Sequence, residues 1–285
     1  MLYPLPDILL QPYVDQALAE DLGRRGDITS ELVFEGNAQA QLAIVSRETG
    51  VLAGMSLARL AFHRLDASIY FEAIAADGDT IHAGQTLAKV RGDIRALLSA
   101  ERTALNFLTH LSGIASMTAA AVVAVAGTSA QIMCSRKTLP LLRTLQKYAV
   151  RAGGGLNHRM GLDDAVLIKD NHIALAGSLS AAIERAQQAA GAWIAVEVEV
   201  DTLEQLHVAL AAGAKLILLD NMDTQQLRQA VTLCQGKAHT QASGGIDFSR
   251  LREVAETGVD SIALGYLTHS SKALDIGLDY LDAKN

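Results

Sequence analysis

Apolar residues recur at four-residue spacing between Gln11 and Leu22, at Val14, Leu18 and Leu22, with Pro12 near the start and Gly23 just past the end. That spacing lays one apolar stripe along a helix, and the proline and glycine punctuate its ends. The period then changes to two. Ala40, Leu42 and Ile44 alternate with polar or small residues, as do Ile69, Phe71 and Ala73, which predicts antiparallel strands. Between residues 77 and 93, Gly78, Gly84 and Gly92 read as turn residues separating short strand-like pieces. A small sandwich of strands is expected. From Leu97 to Val125 the pattern is helical again, with Leu98, Ala104, Leu105 and Leu108 set among small residues that allow close helix packing.

Beyond residue 130 the runs QIMCS, AVLIK, IAVEVEV, LILLD, HTQAS and SIALG alternate with amphipathic segments marked by Leu203, Leu206 and Leu210, by Leu227, Val231 and Cys234, and by Leu251, Val254 and Ala255. Short apolar strands alternating with helices predict a parallel sheet joined by right-handed crossovers. At least six such units suit an α/β barrel better than an open nucleotide-binding sheet, and no GxGxxG fingerprint follows the first strand.

Half of the 285 residues are apolar, enough for a barrel-sized domain with a smaller partner. The net charge of −7 argues against a general nucleic-acid surface, so any positive electrostatics must be local. Two cysteines, Cys134 and Cys234, and a start without a basic, apolar leader point to a reduced cytoplasm. The longest apolar runs, such as Ala119 to Ala126, are alanine-rich and fall short of the roughly 20 residues that span a bilayer, so no membrane partner is expected.

In a barrel the chemistry sits at the carboxyl ends of the strands. QIMCS delivers Ser135, Arg136, Lys137 and Thr138; the following segment delivers Asn157, His158 and Arg159; AVLIK delivers Lys169, Asp170, Asn171 and His172. Such a basic sector on an acidic protein matches a ligand with several carboxylates or phosphates, because guanidinium forks bind planar anions bidentately. The next strands reverse the sign, with Glu197 and Glu199 in VEVEV and Asp220 in LILLD. Carboxylates on neighbouring strands suit Mg²⁺ bridging to a pyrophosphate. Alternation puts Glu197 and Glu199 on one face, and Glu199, nearer the strand end, is the expected ligand. Ser243, Gly244, Gly245 and Gly265 complete the mouth, where bare backbone can approach a terminal phosphate. The glycines at 153 to 155 follow a helical pattern carrying Leu142, Leu145 and Val150 and read as a cap and turn.

The segments EDLGRRGDITS, ERTALNFLTHLSGIAS, SRKTLPLLRTLQKYAVRAGGGLNHRMGLDDAVLIKDNHI, VEVEVDTLEQL, LILLDNM, SGGI and AETGVDSIALGYLTHS resemble quinolinate phosphoribosyltransferases, from about residue 17 to residue 279. The resemblance implies an α/β chain in which an incomplete TIM-like α/β barrel, placed at residues 111–270, follows an N-terminal helix and α/β open-faced sandwich domain at residues 1–110. Residues 271–285 are expected to return to the sandwich domain. It also implies a homodimer, with higher assembly open, in which each site is completed by its neighbour. The substrates are quinolinate and phosphoribosyl pyrophosphate, and nicotinate mononucleotide, pyrophosphate and CO₂ are the products, with Mg²⁺ as cofactor. Matched position by position, Arg136, His158, Arg159 and Lys169 fall to the quinolinate carboxylates, with Arg102 supplied by the other subunit. Lys137, Glu199 and Asp220 take the catalytic roles, Glu199 and Asp220 also serving the metal and ribose. Ser243, Gly244, Gly245 and Gly265 cradle the 5′-phosphate, with His269 nearby.

Five positions depart from the family pattern: Cys134-Ser135 for Asp-Thr, Leu141 for a glycine, Gln241 for an acidic residue and Tyr266 for an alanine. Competing readings are a paralogue associated with molybdenum transport, a Schiff-base aldolase using Lys137 or Lys169, and a non-catalytic polyanion-binding protein.

Overall fold

The computed structural model describes residues 2–36 and 38–281. Along the chain come α1 (Asp7–Leu22), α2 (Ile28–Val33), β1 (Gln39–Ser46), β2 (Gly50–Val51), α3 (Met55–Leu65), β3 (Tyr70–Ala73), β4 (Thr80–Ile81), β5 (Thr86–Asp93) and α4 (Ile94–Ala124). Then follow β6 (Gln131–Met133), α5 (Arg143–Ala152), β7 (Val166–Ile168), α6 (Asp170–Ala176), α7 (Leu179–Ala190), β8 (Val196–Val200) and α8 (Leu203–Ala211). The chain closes with β9 (Leu216–Asp220), α9 (Thr224–Cys234), β10 (His239–Ser243), a 3₁₀ turn (Phe248–Arg250), α10 (Leu251–Ala255), β11 (Ser261–Ala263), α11 (Tyr266–His269) and β12 (Ile276–Tyr280). Two compact units result: the first runs to Ala119 and also holds Leu145–Gly154 and the residues from Ser270 on, and the second holds Ala120–Thr144 and Gly155–His269.

The first unit is built on an antiparallel sheet ordered β12-β1-β5-β3. Leu42 faces Val90 on one side of β1 and Tyr280 on the other. Leu42, Ile44, Leu87 and Val90 are buried with Leu10, Val14 and Leu18 of α1 and Leu57, Ala61 and Phe62 of α3. Helix α1 begins at Asp7, four residues before the patterned segment, because Leu10 extends the Val14–Leu18 stripe one turn further back. Pro12 therefore lies inside the helix rather than at its start. Gly78 and Gly84 are left-handed turn residues as expected, but Gly92 is not: it sits within β5, where a Cβ would come 2.7 Å from Ile69 Cγ1. Ala73 is exposed, so the alternation through Ile69 and Phe71 fades at the end of β3.

Helix α4 overturns the expectation about apolar length, since its 31 residues are long and apolar enough to cross a membrane by length and composition. Leu97, Leu105, Leu108, Leu111 and Ile114 are nevertheless buried as the core of this unit. The helix's hydroxyls are spent on neighbouring backbone: Ser112 Oγ accepts from Ala53 N–H and Ser116 Oγ from Val51 N–H. The glycines that follow α5 act as a cap and a close approach. Gly154 is left-handed, and a Cβ on Gly153 would meet Ala115 O at 2.2 Å. Tyr148 on α5 donates its hydroxyl to Asp77, and Gln146 bonds His110, which anchors Leu145–Gly154 within the first unit.

The second unit carries six parallel strands ordered β6-β11-β10-β9-β8-β7, an incomplete α/β barrel with β6 and β7 at the edges. Side-chain caps start its helices: Ser178 for α7, Thr202 for α8 and Asp223 for α9, each accepting a backbone N–H three residues on. Val198, Val200, Ile217 and Leu219 are buried along β8 and β9, as are Leu206, Ala209, Leu227 and Ala230 on the helices after them. The strands thus end with their polar residues in one place.

Candidate active site

Two adjoining cavities open at the carboxyl ends of the six strands. The first, of about 250 Å³, is lined by Arg136, Lys137, His158, Arg159, Lys169, Glu199, Asp220 and Ser243, with Cys134 and Gln241. The second, of about 380 Å³, shares Ser135, Lys137, Ser243 and Ala263 with it and adds Gly244, Gly245, Asp247, Gly265, Tyr266 and His269. Every residue matched to a substrate, metal or catalytic role lies here except Arg102, which is exposed on α4 in the first unit; of the other strand-end residues, Thr138, Asn157, Asp170, Asn171, His172 and Glu197 line neither cavity.

Local structure explains each placement. Ser135 Oγ accepts from the Lys137 N–H, and Thr268 Oγ1 donates to the Lys137 carbonyl, so Lys137 is pinned at both ends of its peptide. Its side chain runs past Gly265, where a Cβ would stand 2.9 Å from Lys137 Cδ. A side chain at 265 would make Lys137 shift. Lys169, at the end of β7, ion-pairs with Glu199 of neighbouring β8. Asp220 and Ser243 end β9 and β10 as register partners.

The pair of glutamates in β8 divides its work. Glu199 lines the cavity, while Glu197 accepts from Gln241 Nε2 at 3.1 Å and holds His158 Nε2 at 2.6 Å. The sequence favours Glu199 over Glu197, although alternation puts both on one face. Its bonding partners, 39 and 44 residues away, carry no sequence signature. The cationic sector is crowded: burial, and after it the like charge of Arg136, lower the Arg159 pKa against the pull of Glu197 and Asp164. Arg136 Nε is buried with no hydrogen-bond partner among the described residues. Two guanidiniums repelling each other beside such a donor suit an anion. At the glycine end, Asp247 lines the cavity, but Ser249 Oγ and the Arg250 N–H occupy it as a turn cap, and these bonds lower its pKa. The chain there makes a 3₁₀ turn leading into the short α10.

A family model described as quinolinate phosphoribosyl transferase, N-terminal domain, matches residues 27–112, and one for the C-terminal domain matches residues 114–279. The chain belongs to the quinolinate phosphoribosyltransferase family. The probable nicotinate-nucleotide pyrophosphorylase [carboxylating] of Bacillus subtilis is 44% identical over 270 residues, 95% of this chain and 93% of the relative. The nicotinate-nucleotide pyrophosphorylase [carboxylating] of Mycobacterium leprae is 46% identical over 271 residues, 93% of this chain and 95% of the relative. Among solved structures, NadC from Streptococcus pyogenes superposes with a TM-score of 0.93 at 41% identity, covering 98% of this chain and all of that one (100%).

Within this family frame the departures have structural counterparts. Cys134 is buried and donates its thiol to Asn157 Oδ1 at 3.3 Å. Gln241, 3% exposed, bonds Glu197 through its amide, where a carboxylate would face another carboxylate. Leu141 holds φ at +64° with 83% of its surface exposed. Tyr266 lines the second cavity, its hydroxyl buried and unpartnered, and burial followed by Asp247 raises its pKa.

Proposed function

We propose that this chain transfers phosphoribose from phosphoribosyl pyrophosphate to quinolinate and releases nicotinate mononucleotide, pyrophosphate and CO₂, acting as a decarboxylating pentosyltransferase in pyridine nucleotide and NAD biosynthesis. One observation carries this: Arg136, His158, Arg159 and Lys169, from separate stretches of chain, line one cavity with Glu199 and Asp220, and that cavity adjoins a glycine-lined one. Four cationic or hydrogen-bonding groups suit a ring bearing two carboxylates. The glycine-lined cavity, with Ser243 and His269, suits the 5′-phosphate.

In this reading the pyridine nitrogen lone pair forms a bond to the anomeric carbon as the bond from that carbon to the pyrophosphate oxygen breaks. Glu199 and Asp220 face the positive charge that develops on the sugar, and Lys137 neutralises the departing pyrophosphate. The alkylated pyridinium then accepts the electron pair left when the adjacent carboxylate departs as CO₂, and that ring carbon takes up a proton. No protein nucleophile is needed, so catalysis is orientation and charge placement. Mg²⁺ is the expected cofactor, held by Glu199 and Asp220. Among the described residues no group of three or more His, Cys, Asp or Glu is arranged to hold a metal. Glu199 and Asp220 would supply two carboxylates, ligands suited to a hard cation. When bound, such an ion supplies charge neutralisation at the leaving group.

Incubation with quinolinate, phosphoribosyl pyrophosphate and Mg²⁺ should yield nicotinate mononucleotide, and Arg136→Ala and Lys137→Ala should abolish it while leaving the thermal midpoint nearly unchanged. Normal turnover in either variant rejects the assignment. A homodimer with shared sites, Arg102 crossing from the partner, belongs to the same proposal. Mixed dimers of Arg102→Ala and Lys169→Ala chains should regain part of the activity that each lacks alone. The setting proposed is the cytoplasm, in keeping with a sequence that has two cysteines, both buried.

A further inference from the structure

Asn221 lines neither cavity, yet it ties the wall of one to the turn of the other. It directly follows Asp220 at the end of β9 and holds φ at +54°. In a strand, successive side chains leave on opposite faces and cannot meet. The left-handed turn at Asn221 undoes that separation. Its Nδ2 swings back to donate to Asp220 Oδ2 at 2.7 Å, while its backbone N–H donates to the Ser243 carbonyl at 3.0 Å. Its Oδ1 also rests against Gly244, where a Cβ would stand at 2.2 Å.

From this arrangement we infer that Asn221 is a positioning residue for the phosphoribosyl donor. It orients the Asp220 carboxylate in the first cavity and sets its distance from the Gly244 turn in the second. The inference rests on the reading that the two cavities together accept phosphoribosyl pyrophosphate. Asparagine suits the task because, among residues with side chains, it adopts the left-handed region at little cost and carries an amide donor of the right length. An aspartate there would lose the donor and set a second carboxylate against Asp220.

The test separates the backbone turn from the side chain. Asn221→Gly keeps the positive φ without steric cost and removes only the amide. The thermal midpoint should stay at or above that of the native chain, and the KM for quinolinate should not change. The KM for phosphoribosyl pyrophosphate should rise about tenfold, the share of one oriented hydrogen bond. Its dissociation constant, measured calorimetrically with Mg²⁺ and without quinolinate, should rise to match. Asn221→Asp should lose more in both readouts. If both variants bind phosphoribosyl pyrophosphate as the native chain does, or if only the quinolinate KM moves, Asn221 is a turn residue and nothing more, while the functional reading stands. If the native chain itself does not bind phosphoribosyl pyrophosphate, both fall.

Discussion

Glu197 offers the most direct test of how the cationic sector is held together. It is 13% exposed along its side chain, so water screens it little, and it holds His158 at 2.6 Å and Gln241 at 3.1 Å. A hydrogen bond to a charged group contributes about 1.5–3 kcal/mol and a buried polar group left unpaired costs about 1–3 kcal/mol. Glu197→Ala removes both bonds and strands the amide of Gln241, which is 3% exposed, for a loss of about 3–5 kcal/mol. That is large enough to threaten folding, so the informative variant is Glu197→Gln. It has the same volume, but its amide carries one acceptor oxygen where the carboxylate had two. Either His158 takes the tautomer whose Nε2 accepts or one contact sets donor against donor, and in both cases the bond to a charged carboxylate is lost, at a cost of about 2 kcal/mol. At roughly 2–4 °C per kcal/mol for a domain of about 150–250 residues, the thermal midpoint should fall by about 4–8 °C. A His158 no longer held in place should raise the KM for quinolinate by about tenfold or more and leave that for phosphoribosyl pyrophosphate alone. Initial rates with each substrate varied in turn, beside a melting curve, read both effects. If Glu197→Gln melts and turns over like the native chain, the contacts seen between β8, β10 and His158 do no positioning.

Two further outcomes follow from the structure. Leu141 holds a left-handed backbone at 83% exposure, so it bears the conformational cost with almost no burial in return; Leu141→Gly should leave the free energy of unfolding in urea unchanged or raise it by up to about 1 kcal/mol, whereas the β-branched Leu141→Ile should lower it. His110, beside Gln146, has its pKa lowered from 6.5 by burial, so the unfolded chain binds its proton more readily than the folded one. Its contribution to stability is then complete above about pH 6.5 and is lost as pH falls toward the lower folded value; the difference in urea midpoint between about pH 7.5 and about pH 5 should shrink in His110→Gln, and an unchanged difference refutes the assignment.

What could be read in the chain without its structure follows the range of the interactions. β8, β9 and β10 announce themselves because five apolar or alternating residues precede a turn and a capped helix, a signal confined to about a dozen neighbours. The carboxyl ends of the parallel strands then collect charged residues by topology, so Arg136, His158, Arg159, Lys169, Glu199 and Asp220, from β6 to β9 and the segment after Leu156, line one mouth. The misreadings have a different cause. Pro12 looks like a helix start to any local rule, but the Leu10–Val14–Leu18 stripe is buried, and that burial outweighs one missing amide. Gly92 looks like a turn until Ile69 is found 2.7 Å from where its Cβ would be. The helical span of α4 is legible from Leu97 to Val125, but its apolar length is not, because polar residues such as Ser112 and Ser116 interrupt the run, though both serve the backbone of Val51 and Ala53 more than 50 residues back.

The same distinction separates the residues that meet ligand from those that hold them. A ligand-facing side chain sits where the fold puts strand ends, and the pattern of strands reveals it. A residue such as Glu197 or Asn221 is defined by what it bonds. Glu197 reaches Gln241 across an intervening strand, 44 residues away, and Asn221 depends on a single left-handed dihedral. Neither has a sequence period. Both nonetheless fix side chains that the strand pattern did reveal, His158 by its ring and Asp220 by its carboxylate. Orientation on the scale of a few tenths of an ångström is what a site without a nucleophile must supply, so the groups invisible in the sequence bear most directly on rate. If that is right, conservative changes at Glu197 and Asn221 should divide cleanly between the two substrates, the first moving the KM for quinolinate and the second that for phosphoribosyl pyrophosphate. A common loss in both would mean that they support the barrel rather than its chemistry.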